Sequence, residues 1–170
     1  QASLHINLFV TDAKDGSPFV EEIAPKYGFR AMTHTGDNIS DAMIRQSVDN
    51  DVMAVWMLRD EPDWSIEPNI MNYQHGLVRS FTTQHPTMIT LCRNVKFFEY
   101  AQIPDIPVHD HYCVGAPTSS RWPAVWGTRL EETGYYTRDL KYASEPKPIW
   151  VWSQAIAGWD ERPQRPVPTP

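Results

Sequence analysis

The apolar run 54–58 is followed at once by Arg59, Asp60, Glu61, Pro62, Asp63 and Trp64, so a hydrophobic segment ends abruptly in three carboxylates on a proline-punctuated turn. Carboxyls placed this way are suited to proton transfer, which needs a titratable group held at the mouth of a pocket. A segment apolar on both faces is expected of a parallel strand covered by helices. In α/β folds the site lies just beyond the carboxyl ends of such strands, so the position of Glu61 says more than its identity. A second constellation is His109, Asp110 and His111, whose spacing would let two imidazoles on one strand face bind a metal. Strand alternation, however, puts both histidines opposite Asp110 and Tyr112, so a single site cannot use all four without a bulge. Serine or cysteine nucleophile motifs and the His-Glu-x-x-His zinc motif are absent, and Cys92 and Cys113 have no metal-ligand spacing.

The elements that must position these groups recur in order. Six short apolar segments, 4–9, 31–35, 54–58, 88–92, 108–114 and 149–155, are candidate strands. Helical signals lie between them at 17–27, at 41–48 with Ser40 as the cap, at 69–84 with Leu77, Val78 and Phe81 at helical spacing, and at 97–101. The stretch 115–145 is expected to be a long irregular connection. Strands alternating with helices imply parallel βαβ units. A doubly wound nucleotide-binding sheet would carry a glycine-rich loop after the first strand, and residues 10–16 contain one glycine. A (β/α)8 barrel remains. Polar residues close nearly every candidate strand, namely His34, Asp60, Glu61, Arg93, Asn94, Asp110, Tyr112 and Gln154, as a barrel rim site requires.

Composition narrows the partners. The chain has 170 residues, 41% of them hydrophobic, with a formal net charge of −6. That is enough for one sizeable core, and residues 1–170 are read as a single domain or part of one. The acidic balance, with no Lys/Arg run, gives no footprint for nucleic acid. No apolar stretch reaches the roughly 18 residues that a membrane span needs. No cofactor and no metal is expected.

Arg59, Asp60, Glu61, Pro62 and Asp63 resemble the Asn/Asp-Glu-Pro ending of the fourth strand in the clan A glycoside hydrolase barrels. Val108–Tyr112 resembles the Asp-x-Tyr ending of a later strand, and 150–154 with Trp159 and 165–170 resembles the seventh strand and its loop. The resemblance implies a partial barrel of approximately strands two to seven, an α/β fold whose remaining strands lie outside this chain. It implies hydrolysis of O-glycosidic bonds in a poly- or oligosaccharide, with Glu61 as general acid. Such cleavage needs a second carboxylate about 5 Å away for a covalent route or roughly 6.5–9.5 Å for a water-mediated one. The clan places a glutamate at the end of the seventh strand, where this chain has Ser153 and Gln154. Asp110 is therefore the expected partner, across the rim from Glu61, while Asp60 should point to the opposite side of its strand. Substrate contacts are expected from His34, Trp64, Asn94, Tyr112, Gln154 and Trp159, with Trp122 and Trp126 as further stacking candidates. The alternatives are a sugar-binding barrel without catalysis and a metal-dependent hydrolase built on the 109–111 strand. Carbohydrate processing would fit a secreted or periplasmic location.

Overall fold

The computed structural model describes residues 8–11, 19–35, 39–112 and 131–153. Six strands form one sheet in chain order: β1 Leu8–Thr11, β2 Arg30–His34, β3 Met53–Asp60, β4 Thr87–Leu91, β5 Ile106–His109 and β6 Trp150–Val151. Every adjacent pair is parallel. The sheet curls into part of a barrel, so the α/β reading and the partial barrel agree with the structure.

Helices join the strands, as parallel pairing demands. A π-helical turn Phe19–Ile23 runs into α1 Ala24–Tyr27, which Gly28 ends in a left-handed conformation at φ 69°. Helix α2, Asp41–Ser47, starts where Ser40 accepts the Met43 N–H at 3.3 Å. Helix α3, Pro68–Phe81, buries Met71, Gln74 and Val78, and the short α4, Phe97–Tyr100, buries Phe97 and Tyr100.

The connection expected to be irregular contains a helix, α5, over Glu132–Ser144. Its buried positions, Tyr136, Leu140, Ala143 and Ser144, follow the helical period. Gly134 in the first turn and the lack of any side-chain cap concealed that period in the sequence. Strand boundaries also move: β3 extends through Arg59 and Asp60, and β5 starts at Ile106 and ends at His109.

Two apolar layers line the sheet. Met53, Trp56, Leu58, Ile89 and Leu91 pack with Met71, Val78, Phe97 and Leu140 on the helical side. Met32, Val55, Met57, Met88, Ile106 and Val108 form the second layer on the concave side. Both faces of β3 and β4 are therefore buried, which explains why their sequences read as unbroken apolar runs. At the amino-terminal ends of the strands, Asp105 accepts from Thr87 N–H at 2.7 Å and Thr87 Oγ at 2.8 Å and pairs with Arg79 of α3. This latch ties α3 to the base of β4 and β5, well away from the Glu61 end.

The outer strands β1 and β6 leave the concave layer open. Leu8, Val10, Met32, Val108, Trp150 and Trp152 line an apolar groove of about 400 Å³ there. Val10 is 52% exposed and Trp150 37%. Unpaired strand edges beside exposed apolar side chains promote association. The 170-residue chain expressed by itself is expected to self-associate at micromolar concentrations in light scattering, and the double variant Val10→Lys, Trp150→Lys to stay substantially more monomeric.

Candidate functional site

Glu61 follows the last residue of β3 and is held in the left-handed region, φ 44° and ψ 49°. A non-glycine residue there is costly, and such strain clusters at functional positions. Its cause is local. Pro62 disfavours the right-handed helical region for the residue before it, while the Glu61 N–H remains bound to the Thr90 carbonyl of β4 at 3.0 Å. The side chain is held as well, because Trp64 Nε1 donates to Glu61 Oε2 at 3.0 Å and the Arg93 guanidinium lies over the Trp64 ring at 5.3 Å.

Asp63 anchors the turn that carries these groups. It is 3% exposed and accepts the N–H groups of Cys92 at 3.0 Å and Arg93 at 2.7 Å, binding the end of β3 to the end of β4. Burial raises its pKa to about 6, and those backbone hydrogen bonds oppose the rise. The Cys92 thiol is pushed far above its usual range by burial and by the charges of Asp63, Glu61 and Asp110, so it is unsuited to nucleophilic chemistry.

Asp110, the first residue past β5, is also 3% exposed. It lies near enough to Glu61 for the two carboxyls to influence each other, and its Oδ1 is fully buried with no hydrogen-bond partner. Burial, then the neighbouring Glu61, then the charges of Asp60 and Asp63, hold its carboxyl far above the ordinary carboxylate range. Asp110 therefore favours its neutral form near neutral pH. Asp110, expected as the partner of Glu61, lies at the same rim of the sheet as Glu61.

A bulge sets the register of Asp60. The register of β3 against β4 shifts between Met57 and Arg59, so Asp60 pairs with Thr90 rather than with Leu91. Thr90 belongs to the concave side, where Trp152 Nε1 donates to its Oγ at 3.0 Å. This bulge, together with the left-handed Glu61, breaks simple alternation. The charges of Asp60 and Glu61 both act on Asp110, and Asp60 itself is exposed.

The expected substrate contacts divide. Tyr112 is half-buried beside the site, its phenol pKa raised by burial and by the charges of Asp110, Asp60 and Glu61. Trp64 joins the site as the hydrogen-bond donor to Glu61. Asn94 opens a short turn after β4 on the same rim, with no contact to Glu61 among the described residues. His34 closes β2 opposite Met57, and its side chain is outside the described set. Gln154, Trp159, Trp122, Trp126 and Cys113 lie outside the described residues. Two members of the site were missed from sequence: Asp63 as the anchor and Trp152 as a concave-side indole. Only the placement of Trp152 two residues before Gln154, at a strand end, hinted at the second.

His109 and His111 face α5. His109 Nδ1 accepts the His111 N–H at 3.4 Å, and its Nε2 meets Thr137 Oγ at 2.9 Å, whose hydroxyl donates to the Thr133 carbonyl at 2.7 Å. That chain requires a proton on Nε2 and none on Nδ1, which is the neutral tautomer. His111 Nδ1 meets Thr133 Oγ at 3.0 Å, and its ring stacks on Tyr136 with centroids 4.3 Å apart. Both imidazoles thus lie on the face away from Asp110, as alternation requires, and a metal site joining His109, Asp110 and His111 has no geometric support. Among the described residues no group of three potential ligands comes together.

In sequence the chain matches no family model and no curated protein. Solved structures do share its fold. A β-glucuronidase from Bacteroides uniformis aligns with a TM-score of 0.62 at 13% identity, over 86% of this chain and 20% of its own. A β-glucuronidase from Parabacteroides merdae aligns with a TM-score of 0.53 at 13% identity, over 88% and 20%. A glycosyl hydrolase family 2 member from Bacteroides cellulosilyticus gives 0.50 at 11%, over 89% and 24%. This chain therefore spans about a fifth to a quarter of the length of those enzymes. At such identity the likeness is one of fold.

Two stability measurements test this local architecture. Burial, and secondarily the neighbouring His111, lower the His109 pKa to about 4, against about 6.5 in an unfolded chain. The unfolded state takes up this proton first as pH falls, so stability present above pH 6.5 declines down to about pH 4, by up to about 3 kcal/mol. Because the raised carboxyls of Asp63 and Asp110 gain stability over the same window, the His109 contribution is read as a difference: the stability of the wild-type protein relative to His109→Gln, which keeps a donor for Thr137 but cannot titrate, should fall between pH 7 and 4.5 in denaturation. Asp63→Ala strands two buried amides and is expected to cost about 2–4 kcal/mol, against less than about 0.5 kcal/mol for Asp60→Ala at its exposed position, in the same denaturation assay.

Proposed function

We propose that this chain is the part of a glycoside-hydrolase barrel that carries the general acid, with its six strands corresponding to strands two to seven. Two further strands, from sequence outside this chain, would close the groove between β1 and β6. The substrate class is a poly- or oligosaccharide, and the reaction is hydrolysis of an O-glycosidic bond in which Glu61 protonates the leaving oxygen.

One observation carries the reading: a strained glutamate at the carboxyl end of a buried parallel strand, held by Trp64 and near Asp110, on a fold shared with family 2 glycoside hydrolases. That is where a barrel presents its chemistry. Trp64, Tyr112 and Trp152 surround the site with rings of the kind on which sugar faces stack. The neighbours named as β-glucuronidases fix no sugar for this chain. Asp110, at the same rim and electrostatically linked to Glu61, is the candidate for the second carboxylate.

A second reading is a sugar-binding barrel without hydrolysis. Gln154, at the place where the resembled clan has its glutamate, points that way.

The deciding measurement is reducing-sugar release from a polysaccharide and oligosaccharide panel by the full-length protein and its Glu61→Gln variant. The variant keeps the shape and removes the acid. It should lose activity by about 10²–10⁴-fold on substrates with poor leaving groups. Equal release from both would refute the acid role, and no release from either, with sugar binding seen by calorimetry, would establish the binding reading.

A further inference from the structure

Trp152 stands just past β6, on the rim that carries Glu61, and its indole Nε1 donates to Thr90 Oγ of β4 at 3.0 Å although β5 lies between the two strands. Neighbouring strands are about 4.8 Å apart, so a side chain of β6 that reaches β4 has to cross the concave face of β5. Thr90 is level with Val108, and Val108 with Trp150. The ring therefore runs diagonally over β5 and packs on the apolar layer that contains Val108. The Trp152 backbone is held as well, its N–H donating to the His109 carbonyl at 2.9 Å. The residue is only half-buried and lines the open groove, so the side of the ring turned from that layer faces the concave opening. Thr90 has a second commitment. It is fully buried, and its carbonyl accepts the Glu61 N–H at 3.0 Å. One residue of β4 thus fixes the Glu61 backbone through its peptide group and the Trp152 indole through its hydroxyl.

We propose that Trp152 is the platform of a sugar-binding subsite and that Thr90 is the positioning residue that sets the platform's distance from Glu61. This rests on the carbohydrate reading of the site. The ligand is a pyranose unit of an oligosaccharide, seated with a face of C–H groups on the indole and its glycosidic oxygen toward Glu61. The indole N–H lies in the plane of the ring and is its only donor, so the bond to Thr90 fixes the ring without covering the face that a sugar needs. Trp64 is placed differently. Its N–H is spent on Glu61 and the Arg93 guanidinium already lies over its ring, whereas among the described residues no cation or aromatic ring covers Trp152. Thr90 does not touch the sugar. It acts through the two groups that it holds.

The test uses the full-length protein with cello-, xylo-, manno- and galacto-oligosaccharides, read by calorimetry and by sugar release. Trp152→Ala should weaken binding, or raise KM, by about tenfold or more with kcat little changed. A residue that merely supported Glu61 would lower kcat instead. Thr90→Val, which keeps the shape and the carbonyl but removes the acceptor, should weaken binding by about 2–10-fold, and Thr90→Ser should restore it. Adding Thr90→Val to Trp152→Phe should cost nothing beyond Trp152→Phe alone, because both remove the same hydrogen bond. In protein labelled with fluorotryptophan, the fluorine resonance that Trp152→Phe removes should move when the bound oligosaccharide is added, a readout that does not depend on the Thr90 variants folding. Binding or release with that resonance unmoved, or unchanged in Trp152→Ala, would overturn the platform while leaving the carbohydrate reading in place. Additive losses in the double variant would overturn the role of Thr90. No binding and no release with any of these sugars would overturn the carbohydrate reading and the platform with it.

Discussion

A strand buried on both faces cannot end in carboxylates unless something receives them, and the structure around β3 is organised by that constraint. Buried charge is expensive, and buried polar groups without partners nearly as much so. Each acid at this strand end meets the constraint differently. Asp63 takes the backbone N–H groups of Cys92 and Arg93. Glu61 takes the Trp64 indole. Asp60 remains exposed. Three neighbouring acids thereby acquire three environments.

The same strand end shows how backbone irregularity and chemistry are coupled. The register shift after Met57 and the left-handed Glu61 both interrupt the regular ladder. Without them Asp60 would pair with Leu91 on the helical side, where the core is apolar. The interruption brings Asp60 into register with Thr90 and places Glu61 near Asp110. Its cost is met by the Asp63 anchor and by the sheet beneath, whose two apolar layers keep β3, β4 and β5 in line. The outer edges are less complete: the concave layer ends at β1 and β6 in an open apolar groove, which agrees with a sheet that continues elsewhere.

The two faces of β5 are segregated. His109 and His111 are hydrogen-bonded parts of the α5 interface, and strand alternation puts Asp110 and Tyr112 on the opposite side. A motif that reads as one cluster along the chain is therefore two unrelated groups in space. The latch of Asp105, Arg79 and Thr87 lies at the far ends of the strands, where barrel residues support stability rather than catalysis.

Much of the architecture was legible in the residues themselves. Unbroken apolar runs at 54–58 and 88–92 specify strands buried on both sides, Ser40 marks a helix start, and the alternation of strands with helices requires parallel pairing. Glu61 could be singled out because a strand's end is a local property, and the opposed faces of 109–112 follow from a period of two. Three things were not local. Helix α5 depends on packing of Tyr136 and Leu140 against the sheet, which offsets a glycine and a missing cap in its first turn. The face that Asp60 takes is decided by a bulge against β4, a relation between strands 30 residues apart along the chain. The distance between Glu61 and Asp110 depends on how far the sheet curls, and sheet curvature arises from the packing of all the elements together. The sequence by itself determined the strand ends at which carboxyls would gather, because strand period and apolar patterning are carried by neighbours in the chain. Only the tertiary structure decided which neighbours those carboxyls meet, because separation in space is set by contacts that no single segment contains.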